Sequence, residues 1–258
     1  MYQTKNRIYV SVSNDLFSDM RVDKVCNTLV SIGFDVHLVG RKLPNSLPLS
    51  PRNYKTKRLK LLFKKGALFY AELNFRLFWY LLFKKHSVLL ANDLDTLLAN
   101  KWVSKIKSSH LVYDSHEYFT EVPELIEGSF AKNTWLRIEK MIFPKLERVY
   151  TVCDSIADIY SNKYKVDVKV VRNIPKKRKI NNYKTRSELG LPKSKKILLL
   201  QGAGINLDRG AEEMVEAMNY LPDNYLFVII GGGDVFEKLK EILHQRQYGF
   251  FDFFDFHR

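Results

Sequence analysis

Cysteine is scarce in this sequence. The two residues present, Cys26 and Cys153, lie far apart within segments of apolar periodicity. We expect both to be buried free thiols in a reducing compartment, which excludes a fold held together by disulfides. Neither cysteine has neighbours at a spacing typical of zinc ligands.

The sequence also lacks an apolar run long enough to cross a membrane. Its longest candidate, Gly66–Phe83, contains three polar residues and falls short of the about 20 apolar residues that a span needs. The first seven residues are polar, and Ile8–Val12 is too short for the apolar core of a signal peptide. We therefore expect a cytoplasmic protein, with peripheral contact to the inner face of the membrane considered below.

Acidic residues are outnumbered by basic ones. The chain has 258 residues, with 42 Lys and Arg against 28 Asp and Glu, which gives a net charge of +14. Such an excess favours an anionic partner, which can be a nucleotide, a nucleic acid or an acidic lipid. Because helix-turn-helix, RNA-recognition and zinc-finger motifs are absent, we predict no nucleic-acid partner.

What the sequence does contain is a regular alternation of apolar strand-like segments with segments of helical periodicity. Arg7–Val12, a helix that ends before Gly33, and Phe34–Val39 form a first βαβ unit. This order predicts an α/β fold whose parallel sheets are covered on both faces. The further predicted strands are Ser87–Ala91, His110–Tyr113, Arg148–Val152, Val168–Val171, Lys196–Gln201 and Leu226–Ile230.

A polar, basic stretch divides this alternation in two. Residues 1–172 form an N-terminal Rossmann-like domain, residues 173–184 a basic linker, and residues 185–258 a partial second α/β domain. The cleft between two such domains is the default position for a ligand.

Two glycine-rich turns are predicted in the second domain. Gly202 and Gly232 each follow a predicted strand, and Arg209 with Gly210 begins the helix between those strands. Backbone N–H groups converge at such turns, and an arginine can bind a phosphate through two parallel hydrogen bonds. The spacing matches neither a dinucleotide-binding nor a P-loop motif. An ordinary βα turn with a surface arginine is the alternative.

Polar residues follow two predicted strands of the first domain. His116 comes after His110–Tyr113, at the end of a strand where open α/β sheets bind ligands. It can donate to a sugar hydroxyl or move a proton, or it can be a loop histidine held by neighbouring carboxylates. Asp93 and Asp95 have the spacing of an Asp-x-Asp metal motif. We expect them instead to be the N-cap and a first-turn residue of the next helix, with no metal bound.

The segment Arg52–Lys65 contains seven basic residues and no acidic one, and an aromatic-rich stretch follows it. Basic residues beside exposed aromatic side chains suit an anionic bilayer surface. The alternative is a helix that covers the sheet and has a solvated basic face. The predicted membrane-facing residues are Lys57, Arg58, Lys60, Lys64 and Lys65.

Taken in order, several motifs resemble those of family 4 glycosyltransferases, which have the GT-B fold. The resemblance implies one complete Rossmann-like domain on the acceptor side, followed by part of a nucleotide-sugar domain. The motifs are Ser18–Val25, Asn92–Leu97, Tyr113–Glu117 and Val171–Pro175 in the first domain, and Gln201-Gly202, Arg209-Gly210 and Gly231–Asp234 in the second.

The resemblance also implies an activity and residue roles. It implies transfer of a hexose, with retention, from a nucleoside diphosphate sugar to a polysaccharide such as a capsule or to a lipid-linked acceptor. His116 would be the catalytic residue at the donor sugar, and Arg209 would contact the diphosphate. No metal or other cofactor is implied, because basic side chains and a helix end stabilise the leaving diphosphate. The implied donor-binding residues are Gly202, Arg209, Gly210 and Gly232, and the implied acceptor and phosphate loop contains Ser13, Asn14 and Asp19.

Members of this family continue further and carry a Glu-x7-Glu pair that holds the donor. This sequence ends first, in the phenylalanine-rich stretch Tyr248–Arg258. We predict a glycosyltransferase truncated in its second domain, weak or inactive as it stands, whose last residues are an out-of-frame translation. A short apolar strand covering the edge of Leu226–Ile230 is the alternative for that stretch. For the whole chain, the alternative is a non-catalytic module that binds a nucleotide or an anionic surface.

Overall fold

The computed structural model describes residues 6–17, 19–175, 177, 183–202, 204–245 and 253–254. The chain divides into two compact units, residues 1–175 and 176–258. In the described part of the chain no helix is long and apolar enough to span a membrane.

The first unit is built on a seven-stranded parallel sheet with the strand order β3-β2-β1-β4-β5-β6-β7. This confirms the predicted α/β class. The strands are β1 (Arg7–Asp15), β2 (Asp35–Lys42), β3 (Lys55–Lys60), β4 (Val88–Asn92), β5 (His110–Ser115), β6 (Val149–Thr151) and β7 (Val168–Val170). The helices are α1 (Met20–Ser31), α2 (Gly66–Leu82), α3 (Leu94–Lys107), α4 (Phe130–Ile142) and α5 (Asp154–Tyr164).

Alternate residues of β1 pack into two different apolar clusters, because successive side chains of a strand point to opposite faces. Ile8 and Val10 join a cluster with Cys26 of α1. Tyr9 joins the larger cluster, to which α2, α3, α4 and α5 all contribute. The sheet is therefore covered on both faces, as the alternating sequence pattern predicted.

The second unit contains a three-stranded parallel sheet with the order β10-β9-β8. The pairing of Phe253 with Ile229 matches the alternative of a short strand along the β9 edge. The remainder of Tyr248–Arg258 lies outside the described residues, as does half of the predicted basic linker. The elements are β8 (Lys196–Gly202), α6 (Ala211–Ala217), β9 (Tyr225–Gly231), α7 (Phe236–Gln245) and β10 (Phe253–Phe254).

Three details differ from the predictions. The first strand does not end at Val12 but continues to Asp15, with a register irregularity after Ser11. Part of the basic segment is the edge strand β3 rather than a loop or helix. Cys26 is buried as expected, whereas Cys153 is half-buried and contacts the Ser155 hydroxyl at 3.2 Å.

Candidate functional site at the carboxyl ends of the strands

The sheet of the first unit has a topological switch point between β1 and β4. From β1 the chain builds outward to β2 and β3 on one side, and from β4 outward to β7 on the other. In open α/β sheets a crevice forms outside the carboxyl ends of the strands at such a point, and ligands bind there. Ser13 near the end of β1, Asp93 after β4 and His116 after β5 all lie at this edge.

His116 and Asp93 form the centre of this edge. The imidazole Nδ1 lies 2.7 Å from Asp93 Oδ2, and the backbone N–H of His116 donates to Asp93 Oδ1 at 3.3 Å. The Asp93 side chain is 11% exposed and that of His116 31%, so the carboxylate is enclosed while the ring reaches solvent. Because Nδ1 faces the carboxylate, Nε2 is the ring nitrogen available to a ligand.

The backbone of Asp93 explains why its side chain is placed there. Asp93 has φ 56° and ψ 168°, a conformation that is rare for residues other than glycine. Its N–H donates to the carbonyl of Asp114 on β5 at 2.8 Å, which fixes the turn against the neighbouring strand. Although Asp93 stands at the N-cap position of α3, its side chain makes no capping hydrogen bond. The predicted capping role is therefore wrong, because the Asp93 carboxylate contacts His116 instead of the first N–H groups of α3.

This pairing sets the charge of the histidine. Burial disfavours the imidazolium, but the hydrogen bond and the negative charge of Asp93 outweigh it and raise the pKa of His116 to about 9. At neutral pH the ring is thus protonated and carries a donor on Nε2. It is poorly suited to accept a proton from a substrate.

Asp95 is placed in the first turn of α3, as predicted, but it is buried. Burial and the negative charge of Asp93 raise its pKa well above the usual range, and a hydrogen bond from Ser13 only partly opposes this. Oδ1 of Asp95 finds no hydrogen-bond partner in the described part of the chain. The two aspartates therefore serve different purposes and do not form a matched pair of metal ligands.

An ion pair beside this edge was not predicted from the sequence. Both guanidinium NH₂ groups of Arg21 on α1 contact the carboxylate of Asp114 on β5, at 2.7 and 2.6 Å. The Asp114 side chain is fully buried, and burial raises its pKa although Arg21 opposes the shift. Both residues belong to the motifs quoted above, but no local pattern relates positions 93 residues apart.

The predicted acceptor loop has a clear structural role. Asp19 is the N-cap of α1, since its Oδ1 accepts from the Val22 N–H at 3.0 Å. Its Oδ2 accepts from Asn14 Nδ2 at 3.2 Å. Asn14 is exposed and Ser13 half-buried, so the loop borders the same edge as His116.

In the second unit the two glycine turns are joined by backbone hydrogen bonds. Gly232 N–H donates to the Gly202 carbonyl at 3.3 Å, and its own carbonyl accepts from Ile205 N–H at 2.8 Å. Gly231 has φ 145°, and a Cβ there would collide with the carbonyl of Gly202, so the close approach requires glycine. The amide of Gly232 joins the turns and is not presented to a phosphate.

Arg209 is exposed and directly precedes Gly210, whose φ of 81° begins α6. Glu212 and Glu213 occupy the first turn of that helix and complement its dipole. The basic side chain next to them is therefore accommodated without a bound anion.

The predicted membrane-facing residues divide into two groups. Arg58 is turned inward, with its side chain 16% exposed, and donates two hydrogen bonds of 3.0 Å to the Leu47 carbonyl. It also lies 3.5 Å from Asp15. This differs from the prediction, because the edge strand directs Arg58 against the preceding loop. The exposed members of the set are Lys57, Lys60, Lys64 and Lys65.

Within the described ranges, no group of three or more His, Cys, Asp or Glu side chains is arranged to hold a metal ion.

No protein-family model matches this sequence, and no curated protein does either. Solved structures do match. Sucrose-phosphate synthase from Thermosynechococcus elongatus is similar over 97% of this chain and 70% of its own, with a TM-score of 0.70 and 16% identity. Anabaena HepE, solved with UDP and glucose, is similar over 98% of this chain and 70% of its own, with a TM-score of 0.67 and 13% identity.

WaaG, described as a glycosyltransferase involved in lipopolysaccharide biosynthesis, is similar over 96% of this chain and 70% of its own, with a TM-score of 0.63 and 16% identity. These likenesses show that the chain has the fold of the GT-B glycosyltransferases. At such low identity they are evidence about the fold, and function has to be argued from the site.

Proposed function

We propose that this chain is a glycosyltransferase that takes a hexose from a nucleoside diphosphate sugar and passes it to a polysaccharide or a lipid-linked acceptor. The observation that supports this most directly is the Asp93–His116 pair at the switch point of a GT-B sheet. A protonated imidazole at this edge is suited to bind an oxygen-rich, partly anionic ligand.

In the proposed reaction, His116 donates from Nε2 to an oxygen of the donor sugar and does not act as a base. The pKa of about 9 keeps the ring charged at neutral pH, so it stabilises negative charge that develops as the diphosphate departs. A transfer with inversion needs a base to take the acceptor proton. Because His116 is already protonated, we propose transfer with retention in which an oxygen of the departing diphosphate takes the proton of the acceptor hydroxyl, and NMR of the product anomer tests the retention.

Arg209 is proposed to stabilise the leaving diphosphate. Arg209 is an exposed residue at the start of α6, and an arginine suits the geometry of a phosphate. Loss of such a charge at the leaving group typically lowers turnover by about 10²-fold. Metal-free turnover in the presence of a chelator is expected under this proposal.

The test is a transfer assay with the purified chain at high enzyme concentration, because the sequence predicts weak activity, with a panel of nucleoside diphosphate sugars and sensitive detection of released nucleotide. We expect His116→Ala and Arg209→Ala each to lower turnover about 10²-fold or more. The matched controls are His110→Ala, at the opposite end of β5, and Lys193→Ala, an exposed cation of the second unit. Unchanged turnover in His116→Ala would contradict the proposed role of this residue.

A non-catalytic binding module is the second candidate, and the net charge of +14 favours it. Calorimetry with nucleoside diphosphates and their sugars separates the two candidates. Binding of a nucleotide sugar without any release of sugar would favour the module. Binding followed by sugar release or transfer would favour the enzyme.

We also propose that the outer face of α2 rests on an anionic membrane surface. Phe75, Trp79 and Phe83 form a row of exposed aromatic rings, 66%, 44% and 76% exposed, with ring centroids 6.3 and 6.0 Å apart. The exposed lysines before α2 add positive charge beside this row. Aromatic and basic side chains together are typical of interfacial helices.

Flotation with vesicles tests this proposal. We expect more protein to float with phosphatidylglycerol vesicles than with neutral vesicles. The double variant Phe75→Ser, Phe83→Ser should lose this preference. The double variant Ile126→Ser, Phe130→Ser removes two equally exposed apolar side chains elsewhere and should float like the wild type. Equal recovery from neutral and anionic vesicles would contradict the proposal.

A further inference from the structure

A basic cavity lies at the carboxyl ends of β2 and β3, next to the start of α2. Its volume is about 330 Å³, at the small end of the range for ligand pockets. Four of its lining residues are cations and none is acidic. The lining residues are Arg41, Lys42, Leu43, Pro44, Lys60, Leu61, Phe63 and Lys64.

The described residues do not neutralise the positive charges around this cavity. Lys42, Lys60 and Lys64 make no ion pair among the residues that the structure describes. The nearest acidic side chain of α2, Glu72, is occupied by the N–H groups of Leu62 and Phe63 and by Arg76. An uncompensated cluster of like charges in a concavity attracts anions.

Arg41 is held in place within this cluster. Its guanidinium stacks over the Phe69 ring at 4.9 Å, and Nη1 donates to the Lys64 carbonyl at 3.3 Å. Its Nε is buried and has no hydrogen-bond partner in the described part of the chain. A guanidinium fixed in this way has little conformational freedom left to lose on binding, which favours an anion that accepts several hydrogen bonds, such as a phosphate.

The start of α2 adds to the positive potential. This helix has 17 residues, no acidic residue in its first turn and no side chain that caps its first N–H groups. Lys64 and Lys65 precede it, where positive charge is unfavourable next to the helix dipole. An anion in the cavity would relieve this repulsion.

We propose that this cavity binds a phosphate group of the acceptor, as a phosphomonoester or a diphosphate. The assignment of the ligand to an acceptor rests on the proposed glycosyltransferase function. The apolar lining residues Leu43, Leu61 and Phe63 fit the group that carries the phosphate.

The cavity lies where an acceptor bound by its phosphate could reach His116. β2 and β5 are three places apart in the sheet, so the cavity and His116 lie on one edge, separated by roughly 14 Å at the usual strand spacing. An acceptor anchored by its phosphate would extend along this edge, past the end of β1, towards His116.

Calorimetry with inorganic pyrophosphate tests the cavity without donor or turnover. The measurement is made on the full chain carrying Arg209→Ala, which removes the proposed donor diphosphate contact. We expect the double variant Lys60→Gln, Lys64→Gln to weaken binding about tenfold or more. The control double variant Lys140→Gln, Lys193→Gln removes the same charge from exposed sites away from the cavity and from the aromatic row, and its binding should stay within about twofold of the wild type.

A second arm identifies the source of the phosphate. Flotation compares vesicles of a neutral lipid that contain phosphatidic acid, which exposes a phosphomonoester, with vesicles of the same neutral lipid that contain phosphatidylglycerol at equal surface charge. A preference for phosphatidic acid that the cavity variant loses supports a lipid phosphate. Pyrophosphate binding without that preference supports a soluble acceptor.

Equal behaviour of the cavity variant and the control variant in both arms would overturn the proposal. That result would leave the glycosyltransferase proposal standing, because the latter is decided by His116→Ala in the transfer assay. Conversely, the wild-type chain can bind pyrophosphate in a way that depends on the cavity and yet show no sugar transfer. That result would support the cavity and contradict the glycosyltransferase proposal.

Discussion

The Asp93 carboxylate contacts both the ring and the backbone N–H of His116 at the strand-end site. Its unusual backbone directs the carboxylate towards His116 and away from the start of α3. The sequence correctly places the aspartate after a strand and before a helix. The sequence does not reveal the backbone angle φ of Asp93. That angle determines whether the carboxylate caps α3 or contacts His116.

The first prediction concerns this pair. Asp93→Asn removes the negative charge while keeping a side chain of the same size, so burial of the imidazole is no longer opposed. We expect the pKa of His116 to fall from about 9 to below its ordinary value of about 6.5. An NMR titration of the ring protons measures it. Asp158→Asn, at an exposed position of α5, should leave the midpoint unchanged, and a midpoint still near 9 in Asp93→Asn would contradict the pairing.

The second prediction concerns Asp95. Because its pKa in the folded protein is raised, the folded state holds its proton more tightly than the unfolded state. Its contribution to stability therefore declines as pH rises through the ordinary aspartate pKa towards the raised value. Asp95→Asn, which mimics the protonated form, should raise the free energy of unfolding by about 1 kcal/mol more at pH 8 than at pH 5. Urea denaturation at the two pH values measures this, and an equal effect at both would refute it.

At the scale of elements, α2 is apolar on two faces. Phe69, Leu73, Leu77 and Leu81 recur at every fourth residue and are buried against the sheet. The aromatic row from Phe75 to Phe83 lies outside this stripe and is exposed. A helix in this environment has one face that stabilises the fold and another that is available to a partner.

The third prediction separates these faces. Leu73→Ala should lower the free energy of unfolding by about 2–5 kcal/mol, because it opens a cavity in the core. Phe75→Ala on the same helix should change it by less than about 0.5 kcal/mol, since its ring is largely exposed. Chemical denaturation of both variants provides the comparison. Similar losses of stability would show that the Phe75 ring contributes to the core.

The strand β3 was not predicted from the sequence. Its residues Lys55–Lys60 are mostly exposed and rich in lysine, which reads as a solvated or membrane-facing segment. In the sheet it is the outermost strand, and lysines at an edge discourage pairing with other chains. By contrast, the buried strands β1, β4 and β9 were placed within a few residues, because burial on both faces gives them continuous apolar runs.

At the scale of the whole molecule, each apolar core of the described residues belongs to one unit. The two clusters on the faces of the seven-stranded sheet draw on residues between Ile8 and Val170. The third cluster draws on residues between Leu198 and Ile242. The sequence indicated this division through the change in composition around the basic stretch. The pairing of residues across the sheet, as in Arg21 and Asp114, depends on long-range packing that no local pattern encodes.

The last prediction follows from this separation of cores. A fragment of residues 1–175 keeps all seven strands of its sheet and both of its apolar clusters, so we expect it to unfold cooperatively on heating. A fragment of residues 1–147 should not, because it lacks β6, α5 and β7 and uncovers core residues such as Phe143 and Tyr113. Val149, Tyr160 and Val168, which it removes, are buried in the larger cluster. Circular dichroism during thermal unfolding decides the matter. A non-cooperative transition in the 1–175 fragment would mean that the first unit depends on the second for its stability.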